Sequence, residues 1–273
     1  LSGAGTLSLA GNTLGLTGIN AISNYTQSGG TLNNAGAMTV NGAFNETAGT
    51  LSGAGSVTLS GPSNTWSGGD MAGGGSTVIA SGGVLDMSGG NRRFGGRTLT
   101  VNNGGALAWS GGAIEIGGAS TIANSGSFTI SAGASMADGS VSCCDGAGTL
   151  TLSNLAAGTI TKSGASTSTF GSGITVTSAG TLNITGGLLL LNGASSSNSA
   201  GSVTVDAGAT LQYAAGSHDL SGLTGAGTLS LTGGTLGLTG VNSISNYTQS
   251  NGTLTNAGAM TVNGAFNETG GTL

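Results

Sequence analysis

Pairs of apolar residues separated by one polar residue run the length of the chain, among them Leu7/Leu9, Met38/Val40, Val57/Leu59, Leu99/Val101, Phe128/Ile130, Leu150/Leu152, Ile174/Val176, Val203/Val205 and Met260/Val262. Alternation of this kind is the two-residue period of a strand with one buried face. In Gly148 to Leu152, Leu150 and Leu152 point inward while Thr149 and Thr151 point out. Each pair follows a Gly or Ala-Gly corner, and Gly and Asn suit corners because they tolerate positive φ. Short strand, corner, short strand and a return to register after about 20 residues describe one turn of a parallel β-helix. The pattern therefore predicts an all-β parallel β-solenoid with rungs of about 20–25 residues. Roughly a dozen such turns at about 4.8 Å each make a body about 60 Å long. A sandwich of hairpins would need two-residue turns and explains no rung period.

A second period encloses the first. Residues Leu1 to Leu51 recur at Leu223 to Leu273, an offset of 222 residues, with 8 differences over 51 positions. Residues 1–222 read as one large tandem unit and 223–273 as the start of the next, so the expected parent is a longer array.

Composition narrows the function classes. The 273 residues include 58 Gly, 1 Pro, 4 Lys+Arg and 9 Asp+Glu, with a formal charge of −5. Gly at this density excludes long helices, and one Pro excludes collagen. Recurring Leu, Ile and Val exclude a disordered polyampholyte. Four cations cannot neutralise a phosphate backbone, so no nucleic-acid partner is expected. The longest aliphatic run, Leu188 to Leu191, is far too short to cross a bilayer, so this segment is not expected to insert in a membrane.

Candidate chemistry is sparse. One histidine, His218, beside Asp219 in an expected corner, and scattered carboxylates offer no catalytic constellation, so no enzyme, cofactor or metal site is expected. The nearest approach to a calcium nonapeptide, Gly68 to Ser76, lacks the required repetition. Cys143 and Cys144 are adjacent and read as loop thiols or inter-chain links. Arg92, Arg93 and Arg97 form a local basic spot, either a solvated loop or a contact for an anion or glycan. The aromatic candidates for surface contact are Trp66, Trp109, Tyr25, Tyr213 and Tyr247, each able to stack on a sugar or to plug a corner. Outward Ser and Thr beside the strands form either a polymer-binding array or the ordinary polar face of a sheet.

The phrases GAGTLSL, GGTL, NAGAMTVNGAFN and GAGSVTL resemble rungs of filamentous-haemagglutinin-like two-partner-secretion adhesins and autotransporter passengers. That likeness spans nearly the whole chain. It implies a right-handed solenoid, an extracellular location on a bacterial surface, and a long stalk or filament for adhesion, cell-cell association or biofilm matrix. Expected partners are host or neighbouring-cell surfaces, glycans or like chains, with lateral or end-to-end self-association. Two alternatives are a self-assembling extracellular fibre or sheath subunit, and a carbohydrate-active β-helix enzyme.

Overall fold

The computed structural model describes residues 1–139, 147–199 and 201–273, with the side chains of 194–199 left aside; Cys143 and Cys144 lie outside the described residues. Among the described residues every pairing between strands is parallel, and the chain winds into a β-solenoid of about 12 turns. Strands on one side follow Ala37–Val40, Ser56–Leu59, Ser76–Ile79, Thr98–Val101, Ala119–Asn124, Thr149–Asn154 and Ile174–Ser178 in continuous register. A second side carries Val84–Met87, Ala106–Trp109, Ser127–Ile130, Thr159–Lys162 and Thr181–Ile184. The third carries Gly69–Ala72, Arg92–Gly95, Ile114–Gly117 and Ser135–Asp138. Three strands therefore complete each turn, and the long strand Ile19–Asn34 bends across two corners to serve all three sides.

Turn length varies with the corners. Ser56 pairs with Ser76 and Thr98 with Thr121, whereas Asp219 pairs with Gly237 and Thr121 with Thr151. Extra residues leave at corners, so the ladders stay in step.

The alternation places the small aliphatics inside. Val57, Leu59, Leu99, Val101, Leu150 and Leu152 are buried, and the hydroxyl residues between them face out. The strand Ser76–Ile79 keeps the phase, with Ile79 inward, but exchanges residue types at one step: Thr77 is buried while Val78 faces out.

The aromatic expectations need correction. Trp66, Trp109, Tyr25 and Tyr247 are fully buried and Tyr213 is nearly so, which makes them interior plugs and not adhesive surface contacts. Each occupies the inward phase of its strand, as Leu107 and Trp109 do together. A side chain of that size fills the width of the interior, and the rings meet one another there. Trp66 contacts Phe94 edge-on at 6.2 Å, Trp109 lies parallel to Phe170 at 6.4 Å, and Tyr25 stacks on Phe44 at 5.3 Å.

Some buried polar tips find partners, whereas Trp66 Nε1 has none. The Tyr25 hydroxyl donates to Gln27 Oε1 at 2.7 Å, and Gln27 Nε2 donates to the carbonyls of Gly30 and Thr50, tying two turns together. Tyr25→Phe is expected to lower unfolding free energy by about 1–3 kcal/mol, because Gln27 Oε1 then loses its donor inside the solenoid. Chemical denaturation of the two proteins checks this, and an unchanged midpoint would contradict it.

Candidate functional site

The basic spot separates into two interior cations and one surface cation. Arg92 and Arg93 are consecutive in Arg92–Gly95, so strand geometry sends them to opposite faces. Arg92 turns inward, donates through Nη2 to the carbonyls of Ser88 at 2.5 Å and Gly90 at 2.9 Å, and lies 5.8 Å from the Trp66 ring. Arg97 is also interior. Its Nε donates to Thr77 Oγ1 at 3.0 Å and its Nη2 to the Ser76 carbonyl at 2.8 Å, with longer contacts to Ala72 and Gly53. This accounts for a threonine at an inward position, since Arg97 takes the Thr77 hydroxyl as its partner. The expectation of a solvated basic loop is thus overturned for Arg92 and Arg97, each 1% exposed.

Lys162 behaves alike. It is fully buried and donates to the carbonyls of Ser163, Gly164 and Gly186. Where the coil turns, several carbonyl oxygens converge inward, and one long cation satisfies them together. Burial moves Arg92 and Arg97 down to about 10, which leaves both charged at neutral pH, and it lowers Lys162 as well.

Only Arg93 of the basic spot faces outward. Its Nε lies 3.0 Å from Glu115 Oε2 and its Nη1 3.9 Å from Asp70 Oδ2, because Arg93 pairs in register with Asp70 on one neighbouring strand and Glu115 on the other. The three side chains, with Gly69, Asn91 and Arg92, line a polar groove of about 350 Å³. The Asp70 carboxyl is pushed up by burial, pulled back by Arg93 and pushed up again by Glu115. Both carboxylates are bridged by the same guanidinium, so the groove is lined by an ion-pair ladder across three turns.

Glu46 lies just beneath this groove, where a Cβ on Gly69 would come within 3.1 Å of Glu46 Oε1. Glu46 is fully buried, and no well-formed hydrogen bond reaches either carboxyl oxygen. Burial, reinforced by Asp70, holds its pKa well above the usual carboxylate range, with Arg97 and the Leu51 backbone pulling the other way. Folded Glu46 therefore keeps a proton that the unfolded chain releases above about 4.5. Its contribution to stability is present below that value and is lost as pH rises through the folded pKa. Glu46→Gln is expected to stabilise the protein by about 1–3 kcal/mol at pH 8 and to change little at pH 4. Thermal unfolding across that range tests this, and parallel curves for the two proteins would refute it.

No matching protein family, curated protein or solved structure is found for this chain. The fold and its chemistry therefore rest on the residues themselves.

His218 and Asp219 do not form a shared site. They are neighbours within the strand Thr210–Ser221, not in a corner, so His218 points into the core and Asp219 to solvent. The His218 ring lies 4.6 Å from Tyr213, its Nε2 is 2.7 Å from the Ala215 carbonyl, and burial lowers its pKa. Among the described residues no three His, Cys, Asp or Glu side chains converge as metal ligands would.

Proposed function

We propose that this chain is a structural and adhesive segment of an extracellular bacterial stalk or filament, serving attachment to other cells or to a matrix. The observation that carries the reading is the parallel stacking of strands, turn upon turn among the described residues, around an interior filled by side chains. A body built this way gives reach: about 12 turns at about 4.8 Å set its two ends about 60 Å apart. Its outward Ser and Thr resist nonspecific sticking, and the rung phrases resemble those of secreted β-helix adhesins. On this reading the Asp70–Arg93–Glu115 ladder is a surface feature of the stalk, a place for polar contact.

The experiment is adherence of beads coated with the folded chain to bacterial and host cells, against beads coated with the heat-unfolded chain. Greater adherence of the folded form is expected. Equal adherence of the two would overturn the adhesive reading while leaving the solenoid untouched.

A further inference from the structure

One corner repeats a three-residue step over three consecutive turns, and the repetition leaves a groove. Ser67-Gly68-Gly69, Ser88-Gly89-Gly90 and Ser110-Gly111-Gly112 follow the buried Trp66, Met87 and Trp109, whose strands lie in register turn upon turn. Gly90 N donates to the Ser67 carbonyl at 3.0 Å, so the corner is a wall of backbone with no side chain larger than serine to fill the space beside it. Next to that wall stand Asn91 and the Asp70–Arg93–Glu115 ladder, and here lies the polar groove of about 350 Å³. A space of that size takes a small molecule.

The lining residues limit what can enter. Asp70 and Glu115 are acids and Arg92 and Arg93 are cations, so the four formal charges cancel and the groove favours neither an anion nor a cation. A metal ion would find no set of three ligating side chains among the described residues. An apolar molecule would meet no apolar side chain in the lining. Nor can a peptide add as a strand, because Arg92–Gly95 is already paired on both edges, with Gly69–Ala72 and with Ile114–Gly117. The class left is a neutral molecule that both donates and accepts hydrogen bonds. Asp70 and Glu115 supply acceptors. Asn91 gives its Oδ1 to Ala113 N at 3.0 Å, which leaves its amide N–H groups as donors. Arg92 lines the groove while only 1% exposed, and its Nε and Nη1 have no hydrogen-bond partner. A hydroxyl group answers both kinds at once, since it carries one donor and two acceptor lone pairs.

We propose that this groove binds a neutral sugar ring, with Asp70 and Glu115 accepting from its hydroxyls and Asn91 and Arg92 donating to them. Arg93 is a positioning residue. It stands one ladder step from each acid, bridges both, and so fixes the separation of the two acceptors and cancels their excess charge. No aromatic ring lines the groove for a sugar to stack on, because Trp66 and Phe94 lie inside, so the expected affinity is millimolar. The assignment rests on the adhesive reading above and names the ligand class of its surface site.

The test is titration of the 273-residue chain, read from its amide chemical shifts, with the methyl glycosides of glucose, galactose and mannose. Glucuronate and protonated glucosamine serve as an anion and a cation of similar size. Wild type is expected to bind at least one methyl glycoside more tightly than either ion, with shifts centred on Gly69, Asn91, Arg93 and Glu115. Arg93→Ala leaves two acids against one cation, so it should bind that glycoside at least about tenfold more weakly and turn its preference to glucosamine. Glu115→Gln leaves two cations against one acid and should turn the preference to glucuronate. Both positions are on the surface, and circular dichroism matching wild type shows that the variants fold. Thr129→Lys, outward on another side, is expected to change nothing. Absence of saturable shifts with all three glycosides, a wild-type preference for either ion, or unaltered selectivity in both variants would overturn the proposal. Bead adherence separates the two readings. Adherent wild-type beads without sugar binding would overturn this site alone, and sugar binding by beads that do not adhere would overturn the adhesive reading alone.

Discussion

Gly55→Val is expected to cost about 3 kcal/mol or more, a large effect for a residue with no side chain. At one corner Gly18, Gly36, Gly55 and Gly75 stack turn upon turn. A Cβ on Gly36 would lie 2.0 Å from the Gly18 oxygen, one on Gly55 2.0 Å from the Gly36 oxygen, and one on Gly75 2.2 Å from the Gly55 oxygen. Those carbonyls also accept the hydrogen bonds that join successive turns, Ala37 N to Gly18 O, Ser56 N to Gly36 O and Ser76 N to Gly55 O. A side chain cannot be fitted by a rotamer change, because the obstacle is backbone. The turns must separate, and the ladder bonds of that corner lengthen with them. Gly74 supplies the control, since nothing lies within 4 Å of a Cβ placed there. Gly74→Val is expected to change stability by less than about 0.5 kcal/mol. Denaturation of both variants decides the matter, with hydrogen exchange expected to quicken around the Gly36, Gly55 and Gly75 turns in Gly55→Val alone. Equal losses in the two variants would mean that close backbone approach is not the cause.

Arg97→Ala is expected to cost about 3–5 kcal/mol. The substitution empties a volume in the interior and leaves the Thr77 hydroxyl and the Ser76 carbonyl without their donor. It also removes the cation that opposes the proton on Glu46, so the loss of stability with rising pH should extend to higher pH. Arg97→Met keeps most of the volume and is expected to lose less. The ordering Arg97→Ala below Arg97→Met below wild type, read from denaturation midpoints, is the check. A Met variant as unstable as the Ala variant would point to lost hydrogen bonds alone, without a packing contribution.

Much of the fold was legible because strand alternation and glycine corners are local signals. Leu99/Val101 and Leu150/Leu152 state their own inward phase, and parallel stacking follows from corners recurring after about 20 residues. The exact turn lengths were not legible, since extra residues leave at corners without disturbing the alternation. The interior cations were missed for a different reason. Arg92 and Arg97 look like surface residues by type, and their inward phase becomes visible only by counting two back from Phe94 for Arg92 and two back from Leu99 for Arg97. The same count would have placed Trp109 with Leu107 and Tyr213 with Leu211, taking the aromatics off the surface. Thr77 falls inward by the same count from Ile79, but its partner could not have been found this way, because Arg97 of the following turn is 20 residues distant. Glu46 and the Arg93 ladder likewise depend on which turn lies above which.

The direction of the ladders has a mechanical consequence. Hydrogen bonds between turns run along the solenoid axis, so tension applied between the two ends loads them by peeling and not by shear. An end turn opens one ladder step at a time while the rest stays wound. A turn such as that between the paired residues Ser56 and Ser76 then yields roughly 70 Å of slack chain. Pulled lengthwise, the molecule lengthens in small repeated increments at nearly constant force, and it rewinds onto the remaining turns when the load is released.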